Sequence, residues 1–183
     1  MELIWTEESS KPVFENRLFS IRESVCRSPS GKTGVYTAMD APDWAVVVPV
    51  LDGPEGRRFV MVRQWRHGAR ELSLEFPGGV FERGENPEEA AAREMEEETA
   101  YHPSRVTRLG EMSPNPAIMG NHVHFFLAEG LTDTGKQRLD EDEYMNVELF
   151  PVDEVIRGMG KPPYIHALMA AALMLYLQRG AAL

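Results

Sequence analysis

An α/β domain carrying an N-terminal antiparallel β arm is the fold class this sequence predicts, on three observations. AVVVPVLDG, Ala45 to Gly53, is a nearly unbroken β-branched run, as expected of a strand buried on both faces. Asn86-Pro87-Glu88-Glu89 offers an N-cap, a proline at the first helical position and acids in the first turn, which together start a helix. Between Val13 and Met39 short apolar and polar stretches alternate around Ser28-Pro29-Ser30-Gly31, which predicts two or three antiparallel strands with tight turns.

In chain order, Pro42 closes the arm, giving an expected division into residues 1–43, an arm that is also a possible dimerisation element, and residues 44–183. After the Gly53-Pro54-Glu55-Gly56 turn, RFVMVRQW (Arg58 to Trp65) reads as the hairpin partner of the buried run. LSLEF (Leu72 to Phe76) is a short strand stopped by Pro77-Gly78-Gly79. A helix then runs from Asn86-Pro87 to about Tyr101. VTRLGEM, HVHFFLAEG and YMNVELFPV supply further strands, followed by a short helix around Asp153 to Met159 and an apolar helix from about Tyr164. Its apolar stretch, Ile165 to Leu177, falls short of the roughly 20 residues that cross a bilayer, so it reads as a core or dimer-interface helix.

Composition narrows the function classes. With 183 residues, 43% hydrophobic and 26% charged, the chain has the globular mixture and the length for one domain with a real core. A formal net charge of −10 argues against a general nucleic-acid or anionic-membrane binder, because phosphate neutralisation needs clustered Lys and Arg. Phosphates remain possible ligands where cations intervene. Cys26, the only cysteine, forms no internal disulfide and reads as a buried or half-buried strand residue of a reducing compartment. MELIWTEESS lacks a basic start and a long apolar run, so the expected location is the cytoplasm.

The most charged stretch is REMEEETA, Arg93 to Ala100. One reading is a solvated helix face on which Arg93 pairs with Glu89 and Glu97 at four-residue spacing. Glu94 and Glu98, however, are a like-charge pair at i, i+4, with no basic residue placed to relieve it. At about 100° per residue, Glu94, Glu97 and Glu98 share a sector beside the apolar sector of Ala91, Ala92 and Met95, while Glu96 points away. Partly buried carboxylates repel one another unless a cation neutralises them. Oxygen ligands select Mg²⁺, Mn²⁺ or Ca²⁺, and Mg²⁺ commonly also binds substrate phosphates.

The longer stretch GVFERGENPEEAAAREMEEETAY, Gly79 to Tyr101, has a glycine, five residues, Glu85, seven residues, and then Arg93-Glu94-Met95-Glu96-Glu97-Glu98-Thr99-Ala100-Tyr101. It resembles the box of the Nudix hydrolases, with Ala100 where that family usually has glycine. The resemblance implies the Nudix fold, a mixed β-sheet sandwiched between helices, and cleavage of a diphosphate linked to another moiety with Mg²⁺ or Mn²⁺ as cofactor. By position it implies Glu94 and Glu98 as principal metal ligands, Glu97 as a further or bridging ligand with a catalytic part, and the Gly78 carbonyl as an extra one. Gly79 joins Gly78 in turning the backbone toward the metal. Arg93 orients the acids and Glu85 clasps the loop.

In the branch that hydrolyses ADP-ribose and nucleoside diphosphate sugars, the proton acceptor comes from a loop before a late strand. LDEDEYMNVELFP puts Glu141, as base, and Glu143, as base or metal ligand, there. The same branch is suggested by Pro116, fifteen residues after Tyr101, and by RQWRHG. Arg63 or Arg66 would hold the diphosphate with Gln64 beside it, or else pair with Glu75 or Glu82. Trp44, Phe14 and Phe19 are the candidates to stack on a base, or else strand core. His122 and His124 contact substrate or face one side of a sheet. The branch often forms homodimers through its N-terminal strands. Three readings follow: a pyrophosphohydrolase giving a nucleoside monophosphate and a sugar phosphate, a non-catalytic nucleotide sensor, or an enzyme for a dinucleotide polyphosphate, modified nucleoside triphosphate or coenzyme A. The intact Arg93, Glu94, Glu97 and Glu98 favour an enzyme over the sensor.

Overall fold

The structure is a computed structural model that describes residues 2–81 and 84–181. Two compact units emerge, Met1–Asp43 with Met112–His122, and Trp44–Glu111 with Val123–Leu183. In the first, β1 (Thr6–Glu15), β2 (Ser20–Arg27) and β3 (Thr33–Asp40) form an antiparallel sheet in that order. The arm begins at Thr6, earlier than the alternation from Val13 suggests. All ten residues of β1 are exposed, so its first half has no buried face to impose alternation. Cys26 is half-buried on β2. Residues 112–122, assigned by sequence to the larger part, return to this unit. The Met39 N–H donates to the Ile118 carbonyl at 2.7 Å, Gly120 N–H to Met39 at 3.0 Å, and Asn121 Nδ2 to Pro42 at 3.0 Å.

The second unit holds β4 (Trp44–Leu51), β5 (Arg58–Arg66), β6 (Glu71–Glu75), β7 (Tyr101–Met112), β8 (Val123–Asp133) and β9 (Met145–Pro151). Its helices are α1 (Pro87–Thr99), α2 (Val152–Gly158) and α3 (Ala167–Ala181). The sheet runs β6-β5-β4-β8-β7, with β9 on β5. It is mixed, because β4 and β8 are parallel while the β5 pairings are antiparallel. The expected β4–β5 hairpin is real but closes only at Val50–Phe59 and Leu51–Arg58. Beyond that point β5 exchanges β4 for β6, and the chain leaving β6 crosses to the edge of β4 that β5 has vacated. There Val47 N–H donates to the Pro77 carbonyl at 2.9 Å and Ala45 N–H to Gly79 at 2.8 Å. Between them, Gly78 directs its N–H to Glu98 instead of to β4.

Helix α1 starts as the sequence predicts. Asn86 Oδ1 accepts from Glu88 and Glu89 N–H at 2.9 and 3.2 Å, with Pro87 in the first turn. It ends at Thr99 because Ala100 is left-handed at φ 62°, a conformation costing an alanine roughly 1–2 kcal/mol. Ala90, Ala91, Met95, Glu98 and Thr99 are buried, whereas Ala92 is not. Ala91 and Met95 pack with Ala45, Val47, Phe126 and Ala128. Helix α3 packs on β4 and β8 through a face that includes Met169, Ala172 and Leu173, and Tyr176 meets Phe59 edge-on at 5.3 Å. Among the described residues no helix is long and apolar enough to cross a membrane.

Met95 is fully buried and Met174 on α3 is 45% exposed. Met95→Ala should lower the unfolding free energy by about 2–5 kcal/mol, and Met174→Ala by well under half as much, measured by urea denaturation.

Candidate active site

The box helix and the loop before it meet on one guanidinium. Arg93 donates bidentately to Glu85, Nε to Oε1 at 2.9 Å and Nη2 to Oε2 at 3.0 Å. Its Nη1 reaches Glu94 Oε1 at 2.8 Å and Glu97 Oε2 at 3.0 Å. Such charge-assisted forks fix both distance and plane. Two expectations change here. Arg93 takes Glu85 in addition to Glu97, with no contact to Glu89, and it does relieve Glu94, which a repeat-of-four reading of the helix cannot reveal. The Glu85 hydrogen bond leads in raising the Arg93 pKa, so the guanidinium stays charged. Burial nonetheless raises Glu94 above the ordinary carboxylate value, outweighing Arg93, with the charges of Glu97 and Glu143 adding to it.

Glu98 is 4% exposed and lies on the packed face of α1 itself, deeper than a bordering position. Its Oε2 accepts the Gly78 N–H at 2.9 Å, the group that the strand exchange turns inward. Burial pushes its pKa to about 8 against that bond, with Glu143 and Glu94 raising it further and Arg66 lowering it. The two glycines are required by contact. A Cβ on Gly78 would stand 2.1 Å from the Ala45 carbonyl oxygen, and one on Gly79 2.3 Å from Glu94 Oε2. Glu96 turns elsewhere, to His102 Nδ1 at 2.6 Å and Arg138 Nη2 at 3.1 Å. Among the described residues no three acidic, His or Cys side chains converge on one point as metal ligands would.

Of the late acids, Glu143 is half-buried and its charge bears on both Glu94 and Glu98, while Glu141 is exposed. A turn holds Glu143: its N–H donates to the Asp140 carbonyl and its Oε2 accepts the Asp140 N–H, each at 3.1 Å.

The two arginines of RQWR are both paired. Arg66 grips Glu75 at 2.9 and 2.5 Å, and Arg63 grips Glu148 at 2.5 and 3.0 Å. Burial pushes Glu75 up, but the bonds and charge of Arg66 hold its pKa below the ordinary value. Gln64 lies between them on β5, opposite Ser73. Glu82, the other partner considered, lies outside the described residues.

A cavity of about 590 Å³ opens beside this segment, walled by Trp44, Trp65, Arg66, Gly79, Ile165 and His166. Burial lowers the His166 pKa, so the ring is neutral near pH 7. The buried Ser73 hydroxyl in the same wall has no hydrogen-bond partner, though it lies close enough to Glu75 to favour that charge. Sequence reasoning missed Ser73, His166 and Glu148, the last because its partner Arg63 lies far along the chain. The arginine-rich stretch on a strand was the available signal, since such arginines call for acids on adjoining strands. Pro116 is exposed in the 112–122 segment of the other unit. Phe14 and Phe19 pack on each other in the arm at 5.8 Å. His124 is buried beside Arg108, Glu111 and Phe81, and His122 precedes β8, with its N–H on Asp43.

Comparison with known proteins gives concordant matches. The NUDIX domain family matches residues 41–170. An ADP-ribose pyrophosphatase of Bacillus subtilis is 31% identical, over 93% of this chain and 90% of its own. An ADP-sugar pyrophosphatase of Mus musculus is 34% identical over 81% of this chain and 74% of its own. A crystal structure of an ADP compounds hydrolase superposes with a TM-score of 0.87 at 23% identity, covering 100% of this chain and 97% of that one, a likeness of fold. A family match over most of the chain, on a helix whose box residues gather around Arg93 and Gly78, places the protein in the Nudix family as a pyrophosphohydrolase.

Proposed function

We propose that this Nudix enzyme hydrolyses the diphosphate linkage of ADP-ribose or another nucleoside diphosphate sugar, releasing a nucleoside monophosphate and a sugar phosphate. The observation that carries this reading is the buried Glu98 carboxylate beneath Gly78, next to a cavity that has room for a nucleoside or sugar beyond the diphosphate. The relatives named for ADP-ribose and ADP-sugars support the same class.

The donor chemistry fits a hard divalent cation, Mg²⁺ or Mn²⁺. Glu98 is buried, makes no ion pair among the described residues and carries a raised pKa, and Gly79 leaves the space at Glu94 that a side chain would fill. Glu94 and Glu98, with Glu97 and the Gly78 carbonyl, would hold it. When bound, such a cation neutralises the diphosphate and makes water a stronger nucleophile at neutral pH. The remaining work falls to the chain. Glu143, half-buried near Glu94 and Glu98, accepts the proton of the attacking water as an oxygen–phosphorus bond forms and the bridging bond breaks. Glu141, exposed, is the weaker choice. Arg93 and Glu85 keep the acids in register; Arg66 and Trp44, in the cavity wall, would meet the diphosphate and the attached moiety, with Arg63 and Gln64 of the same strand as Arg66 in support.

Incubation with Mg²⁺ and ADP-ribose, GDP-mannose, UDP-glucose and nucleoside triphosphates should yield monophosphates from the sugar nucleotides. Cleavage of the triphosphates alone would overturn the assignment. In the same assay Glu98→Gln should lower kcat/KM by about 10³-fold or more, and Glu96→Gln by less than about threefold.

Electrostatics give a second test. The folded-state pKa of Glu98 is raised to about 8 from 4.5, so in chelator its contribution to stability is full below about pH 4.5 and is lost as pH rises through 8. Urea midpoints in chelator should therefore fall less steeply with pH for Glu98→Gln than for the unaltered chain. Added Mg²⁺ should restore stability to the unaltered chain, most strongly at high pH.

We further propose that the 1–43 arm is a homodimerisation element. All of β1 is exposed, and Trp5, Val13, Phe14, Val35 and Tyr36 leave apolar surface that a second copy would cover. Sedimentation equilibrium should give twice the 20.6 kDa chain mass, and a monomer at micromolar concentration would refute it.

A further inference from the structure

We propose that Gln137 is a positioning residue for the hydrolysis, fixing the segment that carries Glu143 against the end of α1 that carries Glu97 and Glu98. The last carbonyls of a helix have no partner within it. In α1 only the Glu96 carbonyl is closed locally, by Ala100 N–H at 2.9 Å. Those of Glu97 and Glu98, with that of the cap residue Ala100, are taken by the chain that follows β8. Glu97 accepts the Arg138 N–H at 2.8 Å, and Glu98 accepts Gln137 Nε2 at 2.6 Å. Ala100 accepts both the N–H and the hydroxyl of Thr134, at 2.7 and 2.9 Å. A distant segment, Thr134 to Arg138, thus caps the box helix.

The turn that makes this possible is local. Asp133 Oδ1 accepts the Gly135 N–H at 2.7 Å, and Gly135 sits at φ 81°, where glycine carries no Cβ penalty. Beyond Arg138 the chain has no regular structure until β9, yet the Asp140–Glu143 turn ends with a carboxylate whose charge reaches Glu94 and Glu98. The cap is the nearest fixed point upstream of Glu143.

Among its bonds, those from Arg138 N–H and Thr134 N–H are main-chain and survive substitution. The Arg138–Glu96 ion pair joins side chains 59% and 23% exposed and holds weakly. Gln137 is half-buried and donates to the main chain of Glu98 itself, so its amide is the side-chain contact that couples the Glu143 segment most directly to the buried carboxylate. A neutral donor does this without adding charge among the acids.

The inference rests on Glu143 as the proton acceptor, and the test separates the two. Gln137→Met keeps length and apolar stem but removes the donor. With ADP-ribose and saturating Mg²⁺ it should lower kcat about tenfold to a hundredfold while KM changes by less than about twofold. Tm should fall by no more than about 4 °C, and amide exchange should accelerate across peptides covering 134–143. In a Glu143→Gln background, Gln137→Met should cost less than about twofold more. An unchanged kcat in Gln137→Met, a loss confined to KM, or the same factor in both backgrounds would overturn the inference alone. An unchanged kcat in Glu143→Gln would remove the proton acceptor and the inference together.

Discussion

The hydrogen bond from Gly78 N–H to Glu98 is the constraint on which the site depends. It joins the sheet to the box helix at the point where β5 leaves β4 and the chain from β6 takes its place. Either glycine replaced by alanine would drive a Cβ into the Ala45 carbonyl or the Glu94 carboxylate, so the approach of strand and helix is set by the absence of side chains. One neutral N–H cannot offset the burial of a carboxylate, which is why the Glu98 pKa remains raised even with the bond made. The same contact that fixes the geometry leaves an electrostatic demand.

Arg93 answers a different part of that demand. By meeting Glu85, Glu94 and Glu97 it converts three acids on a loop and a helix into one cluster of defined shape, and it leaves Glu98 out. The four glutamates of REMEEETA therefore occupy three environments. Glu94 and Glu97 are held by Arg93, Glu98 is buried on the Gly78 side, and Glu96 faces His102 and Arg138. Equal charge in the sequence becomes unequal chemistry because helix periodicity sends each side chain to a different partner.

How much of this is legible beforehand depends on range along the chain. The start of α1 was readable from Asn86 and Pro87, and the buried β4 from its β-branched run, because both signals are local. The box spacing marked Arg93 and its acids for the same reason. Contacts bridging long separations left no such trace. Arg63–Glu148, the Gln137 cap and the return of residues 112–122 to the arm join positions whose sequences carry no mutual pattern. The placement of Glu98 on the packed face was half visible: periodicity put it near Met95, but only the crossing of Pro77–Gly79 onto β4 explains why a carboxylate is buried there.

The pairing of the arginines also bears on how an acidic protein would meet a diphosphate. With a formal charge of −10, the chain offers no excess of positive charge for phosphate. Arg66, in the cavity wall, and Arg63 are already matched by Glu75 and Glu148 in bidentate contacts, and Arg93 is committed to three acids. A paired arginine still has N–H groups to orient a phosphate, but its charge is largely spent on its partner. Under the proposed function, a divalent cation would then supply an attraction for the diphosphate that these three arginines do not. On that proposal the cation would serve substrate binding as well as the chemical step, since a diphosphate and the box acids carry like charges that repel one another in a poorly solvated site.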